Sequence, residues 1–166
     1  MNVHIHSSTH PLLPPATEEE RIDWLRLLRS RRVGIATFYR LLEEHGSASK
    51  ALSALPEIAS KAGMNKYSAA THESAEREIQ AGMLSGAHLV CRGERRYPRL
   101  LAEIPDAPPM LWLRGHTDVL TRPMVAIVGA RNASSLGTRM ARALAGELAE
   151  AGYVVVSGLA RGIDTC

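Results

Sequence analysis

Met124-Val125-Ala126-Ile127-Val128-Gly129-Ala130-Arg131 and, further along, Tyr153-Val154-Val155-Val156-Ser157-Gly158-Leu159-Ala160-Arg161-Gly162 decide the fold. Each is a short, uninterrupted apolar run that ends in a glycine-bearing turn. Between them, Ser135–Ala151 sets Ala141, Leu144, Ala145, Leu148 and Ala151 on one helical face, with Arg139, Arg142, Glu147 and Glu150 outside it. Gly152 closes that helix. Strands apolar on both sides and joined by a helix predict a parallel βαβ unit with covered faces and a right-handed crossover.

The two turns are also where chemistry can gather. Neighbouring parallel strands bring their carboxyl ends out side by side, ~4.8 Å apart, at the edge where open α/β sheets bind ligands. The first loop offers Gly129, Arg131 and Ser134; the second offers Ser157, Gly158, Arg161 and Gly162. Glycine lets backbone amides approach a ligand closely, a helix N-terminus carries partial positive charge, and each loop adds one arginine. That combination suits phosphate. Arg131 stands where a dinucleotide fingerprint needs its second glycine, and no G-x-x-x-x-G-K-[ST] occurs, so neither a dinucleotide nor a P-loop nucleotide fits. A long, multiply charged backbone fits two separated arginines better.

Upstream, the periodicity is helical. Thr17-Glu18-Glu19-Glu20 reads as a capping box, followed by a face of Ile22, Leu25 and Leu28 with Trp24 beside it. A second helix spans Ile35–His45, with Ile35, Phe38, Tyr39 and Leu42 in register and Gly46 as its C-cap. Short helices are expected at Ser49–Leu55 and Pro56–Ala62, and a longer one at Ser68–Ser85 with Ala75, Ile79 and Met83 on its face. The Val33-Gly34 turn before the second helix resembles the hairpin of helix-hairpin-helix and SAM-like DNA-binding modules, in which the turn amides face the phosphate backbone. With Arg29, Arg31 and Arg32 just upstream, that resemblance makes it a second candidate contact. Near Gly86 the pattern changes to a strand, Ala87–Cys91. An extended, proline-rich crossing follows, in which Pro108-Pro109 forbids helix, ending in a strand at Met110–Leu113. The expected division is a mobile tail over 1–16, a helical domain over 17–85 and an α/β region over 86–166.

Composition narrows the class. The chain has 166 residues, 45% hydrophobic and 22% charged, which fits globular rather than disordered sequence. No apolar run is long enough for a membrane helix, and the N-terminus lacks the pattern of a signal peptide. Two cysteines, Cys91 and Cys166, are too few for a disulfide scaffold or structural zinc, which points to a reducing, cytoplasmic setting. His4, His6 and His10 lack acidic or thiol companions, so no metal is expected. The net charge is only +3, but residues 21–50 hold seven bases against three acids, and seventeen of the twenty bases are arginine. No nucleophile elbow or H-E-x-x-H is present, His45, His72, His88 and His116 are isolated, and Asp164 reads as a helix cap or a partner for an arginine. Catalytic residues and cofactors are therefore not expected.

Three stretches together resemble the DNA-processing protein A family, DprA or Smf. They are Tyr97-Pro98-Arg99-Leu100-Leu101-Ala102-Glu103-Ile104-Pro105-Asp106-Ala107-Pro108-Pro109 with Leu111-Trp112-Leu113-Arg114-Gly115; Val125–Arg131 with Ser134, Ser135 and Gly137; and Val155–Asp164. Val33–Leu55 also resembles the family's N-terminal SAM-like, helix-hairpin-helix-like domain. The resemblance implies an α/β chain in which that helical domain precedes the first part of an extended Rossmann-like parallel-sheet domain. It further implies a non-enzymatic, single-stranded DNA-binding recombination mediator that loads the RecA recombinase onto incoming DNA in natural transformation. A homodimer formed through residues beyond Cys166 is implied as well. Gly129 and Arg131 match the family's glycine-serine-arginine phosphate motif; Ser157, Gly158, Arg161 and Gly162 match its second loop. Ala130 replaces the commoner serine, and Leu136 stands where an aromatic residue is frequent.

Two competing readings follow from the same residues. One is a nucleotide-processing enzyme on a related scaffold, similar to the phosphoribohydrolases; it needs catalytic groups that this stretch does not display. The other is a protein-interaction scaffold with no affinity for nucleic acid. Two parallel strands and one crossover helix leave much apolar surface bare, so the sequence reads as the front portion of a longer protein.

Overall fold

The computed structural model describes residues 13–166. The first twelve residues, with most of the expected tail and all three of its histidines, lie outside the described residues. The chain divides into two compact units, one ending at Gly115 and one running from His116 to Cys166.

The first unit is built on four helices: α1 (Glu18–Arg29), α2 (Ile35–His45), α3 (Ala48–Lys61) and α4 (His72–Leu84). At the start of α1 the Thr17 hydroxyl accepts from the Glu20 amide at 3.1 Å, and the Glu20 carboxylate accepts from the Thr17 amide at 3.3 Å. This is the reciprocal box expected of T-x-x-E. The core joins Trp24, Leu25, Leu27, Phe38, Leu41, Leu42, Ala51, Leu52 and Leu55. Each large apolar side chain removed from water there contributes about 1.5–3 kcal/mol. The Phe38 ring meets Trp24 edge-on, centroids 5.2 Å apart. The buried face of α1 is rotated from the expected one: Leu27 is fully buried, whereas Ile22 and Leu28 lie at its margins. Asp23, also buried, is paired with Arg26 at 2.8 Å.

Two helix boundaries differ from expectation. The two short helices expected around Pro56 are one continuous helix, α3, with Pro56 inside it. Leu52, Leu55 and Ala59 form an unbroken buried stripe through the proline, and that packing outweighs the missing backbone donor. α4 begins at His72, not Ser68. Thr71 caps it by accepting from the Ser74 amide, while the Ala70 amide and carbonyl are occupied by Ser30 Oγ and Arg26 Nε. Met83, expected on the buried face, is 65% exposed.

β1 (Ala87–Cys91) pairs antiparallel with β2 (Met110–Arg114), Ala87 opposite Arg114 and Cys91 opposite Met110. The connection contains one short helix, α5 (Arg99–Ala102), where only extended chain was expected. Side chains tie this ribbon to the helices. Arg21 donates to the Leu89 carbonyl and pairs with Glu94, Trp112 Nε1 donates to Glu78, and Tyr39 donates to the Ala107 carbonyl at 2.8 Å. Burial pushes the Cys91 thiol up to about 12, so it is an inert part of this packing. The ribbon thus shares the first unit with the helices, although the sequence pattern changes at Gly86.

The second unit holds β3 (Met124–Ala126), α6 (Ser135–Glu150) and β4 (Val154–Val156). β3 and β4 are parallel neighbours, Met124 opposite Val154 and Ala126 opposite Val156, as the βαβ pattern predicts. Ala141, Ala145 and Leu148 of α6 are half-buried, but Leu144, expected on the same face, is exposed together with Leu136 and Met140. Among the described residues, no helix is long and apolar enough to cross a membrane.

Candidate functional site

Both candidate loops leave the same edge of the β3–β4 pair. The ladder runs one step past β3, the Ile127 amide donating to the Val156 carbonyl at 2.9 Å, before the chains diverge. The loops then pack backbone against backbone. Gly162 has φ +101° and ψ −128°, a conformation that side-chain-bearing residues rarely adopt. A Cβ there would overlap the Ala130 carbonyl oxygen and lie 2.7 Å from the Arg131 carbonyl carbon and oxygen. The next amide, Ile163, donates to the Ala130 carbonyl at 3.2 Å. Gly129 permits a second close approach, since a Cβ there would sit 2.8 Å from Ile163 Cβ.

The second loop is braced from within. Ser157 Oγ donates to the Asp164 carbonyl at 2.9 Å and accepts from the Leu159 amide, while the Gly158 amide donates to Asp164 Oδ2 at 3.1 Å. Asp164 makes no ion pair with an arginine among the described residues, contrary to that expectation; its carboxylate holds its own loop. Leu159 takes a left-handed φ of +52° and presents its side chain outward. In the first loop, Ser134 is the N-cap of α6, its hydroxyl accepting from the Gly137 amide at 3.1 Å.

This bracing separates the seven candidate residues by role. Ser134, Ser157 and Gly158 have polar groups engaged inside the loops, and Gly129 and Gly162 allow the loops to touch. Arg131 and Arg161 remain exposed, with no carboxylate in ion-pair range among the described residues. The amides of Ala130, Arg131 and Asn132 also take no internal hydrogen bond among the described residues, and those of Ser135 and Leu136 precede any i−4 partner in α6. Amide donors left free among the described residues, with an arginine on each of the two loops that meet at this backbone junction, can hold an anion. Among the described residues, no cluster of three metal-ligating side chains exists.

The other candidate, Val33-Gly34, belongs to the first unit. The Val33 side chain is buried and its amide donates to the Ser30 carbonyl at 3.0 Å. Gly34 is exposed as the N-cap of α2, which has no side-chain cap. Arg29, the farthest of the three bases upstream, is taken up by a two-point pair with Glu78 at 2.7 and 2.9 Å. Sequence reasoning missed Ile163 and the bracing by Asp164; neither carries a local signal beyond its position after the last glycine.

Two family models match in chain order. Residues 18–81 match the DprA-like N-terminal HHH domain, and residues 88–166 match DNA recombination-mediator protein A. The chain belongs to the DprA/Smf family. DprA of Streptococcus pneumoniae is 46% identical over 69 residues, 42% of this chain and 24% of that protein. Protein Smf of Synechocystis sp. is 44% identical over 72 residues, 41% of this chain and 18% of its own length. DprA of Bacillus subtilis is 34% identical over 89 residues, 53% of this chain and 30% of that one. The X-ray structure of the Streptococcus pneumoniae DprA superposes with a TM-score of 0.53 at 29% identity, covering 88% of this chain and 50% of that chain. This DprA/Smf chain thus matches less than a third of the length of those curated relatives. The two family models meet between residues 81 and 88, whereas the β1–β2 ribbon is grouped with the helices up to Gly115.

Proposed function

We propose that this chain forms the DNA-contacting part of a non-enzymatic recombination mediator that binds single-stranded DNA. The observation that carries the reading is the seating of Gly162 on the Ala130–Arg131 backbone. It puts two loops at one sheet edge, each with an arginine, Arg131 and Arg161, that meets no carboxylate among the described residues, and successive phosphates of a flexible strand can be met there. Family membership supports the wider reading: a cytoplasmic homodimer that processes DNA in transformation and loads RecA onto the incoming strand. Any contribution from the Val33-Gly34 turn comes from its Gly34 side, because Val33 has both side chain and amide engaged.

The test is a titration of single- and double-stranded DNA at several salt concentrations, using the full-length protein. The reading expects tighter binding to the single strand and an affinity that falls linearly on logarithmic axes as counterions are released. Arg131→Ala is expected to weaken binding to all homopolymers alike. Salt-independent or absent binding to single strands rejects the reading. Release of free base from nucleoside monophosphates would point instead to the enzyme class.

A further inference from the structure

The connection between β1 and β2 carries four arginines in eight residues, Arg92, Arg95, Arg96 and Arg99, against a single acid, Glu94. Arg92 is occupied, donating to the Ala102 carbonyl at 2.7 Å and lying over the Tyr39 ring. Arg99 faces Glu103 at 3.4 Å. Arg95 and Arg96 are different. The Tyr97 amide donates to the Glu94 carbonyl at 2.9 Å, which makes Arg95 and Arg96 the two central residues of a β-turn. Turn tips favour Gly, Asn, Asp, Pro and Ser, so local conformation gives no reason for two arginines there.

Both flanks of this turn are fixed. Glu94 is held by Arg21 and by the Cys91 amide. Tyr97 is buried, with its hydroxyl on the Pro108 carbonyl at 2.7 Å. Arg95 and Arg96 are exposed, and no carboxylate reaches either within ion-pair range among the described residues, although Arg96 rims a cleft that Glu18 also lines. Two guanidinium groups are thus displayed on a rigid support, which lowers the ordering cost of binding an anion. Adjacent arginines match closely spaced, multiply charged groups through bidentate hydrogen bonds.

We propose that the Arg95–Arg96 turn is an additional contact for the phosphodiester backbone of single-stranded DNA, separate from the two glycine loops. This rests on the reading that the chain binds single-stranded DNA. Each phosphate contact to a single strand adds about 0.7 to the logarithmic salt slope. R95A/R96A in the full-length protein is therefore expected to flatten the slope for a labelled oligo-dT by about 1.4. Extrapolated from 1 M to 0.1 M salt, that is on the order of 25-fold weaker binding. R95K/R96K is expected to restore the slope, since it keeps the charge, and both variants are expected to melt with the parent. An unchanged slope in R95A/R96A beside a flattened one in R131A/R161A overturns the proposal while the DNA-binding reading stands; it is also the result expected if the turn docks on an acidic protein. A parent protein without salt-dependent binding removes the underlying reading, and this proposal with it.

Discussion

Gly162→Ala is the most direct probe of the junction between the two loops. Forcing a residue with a side chain into φ +101°, ψ −128° costs about 1–3 kcal/mol. The added Cβ would also overlap the Ala130 carbonyl oxygen and lie 2.7 Å from two backbone atoms of Arg131. Those are backbone atoms that cannot swing aside as a side-chain tip can. We expect the loops to separate, the Ile163–Ala130 hydrogen bond to break, and the local structure to lose about 3 kcal/mol in all. Intrinsic fluorescence would miss this change, because both tryptophans, Trp24 and Trp112, belong to the first unit. Hydrogen exchange read by mass spectrometry on peptides covering 127–136 and 157–165 is the suitable assay. Exchange should accelerate there by about two orders of magnitude, with the peptides of α1 to α3 unchanged. Gly146→Ala is the control: nothing lies within 4 Å of its would-be Cβ, and it sits inside α6. It should stabilise the helix by about 0.5–1 kcal/mol. Parental exchange in Gly162→Ala would refute the claim that the loops are locked through this glycine.

Other expectations concern the first unit. In Gly82→Ala the new Cβ would lie 2.8 Å from Trp112 Cε3, so the ring must move off Glu78; a loss of about 1–3 kcal/mol and a shifted tryptophan emission spectrum are expected. The Arg29 guanidinium holds the Glu78 carboxyl below its ordinary value, while Glu78 raises Arg29. Because the folded pKa of Glu78 is depressed, its stabilising contribution is present above the unfolded value of about 4.3 and disappears as pH falls through the lower folded one. Glu78→Gln should remove that part of the acid dependence in urea melts, at a cost of about 1 kcal/mol or less, since the pair is partly solvent-screened. Equal acid sensitivity in both proteins would exclude the pair as its source.

Local signals read well where one interaction decides the outcome. Ile35–His45 has the expected limits because the apolar period, Gly34 before it and left-handed Gly46 after it agree. The parallel β3–α6–β4 unit follows from two apolar runs and one amphipathic segment. What was not legible depends on distant partners. Pro56 is carried inside α3 by packing of Leu52, Leu55 and Ala59. Ser68–Thr71 is drawn out of α4 by Ser30 and Arg26, some forty residues away in sequence. The β1–β2 ribbon is secured to the helices by Arg21, Tyr39 and Glu78, none of which announces such a contact in sequence. At the site, the glycines and arginines were visible. The division of labour between them was not, because Ser157 and Asp164 become braces only once the loop closes.

Arg131 and Arg161 are expected to act together on one phosphate backbone. The salt slope for oligo-dT binding by the full-length protein, measured for the parent and for R131A/R161A, tests it most directly. The slope is expected to be flatter by about 1.4 in the double variant, with the melting temperature unchanged. An unaltered slope and affinity would contradict it.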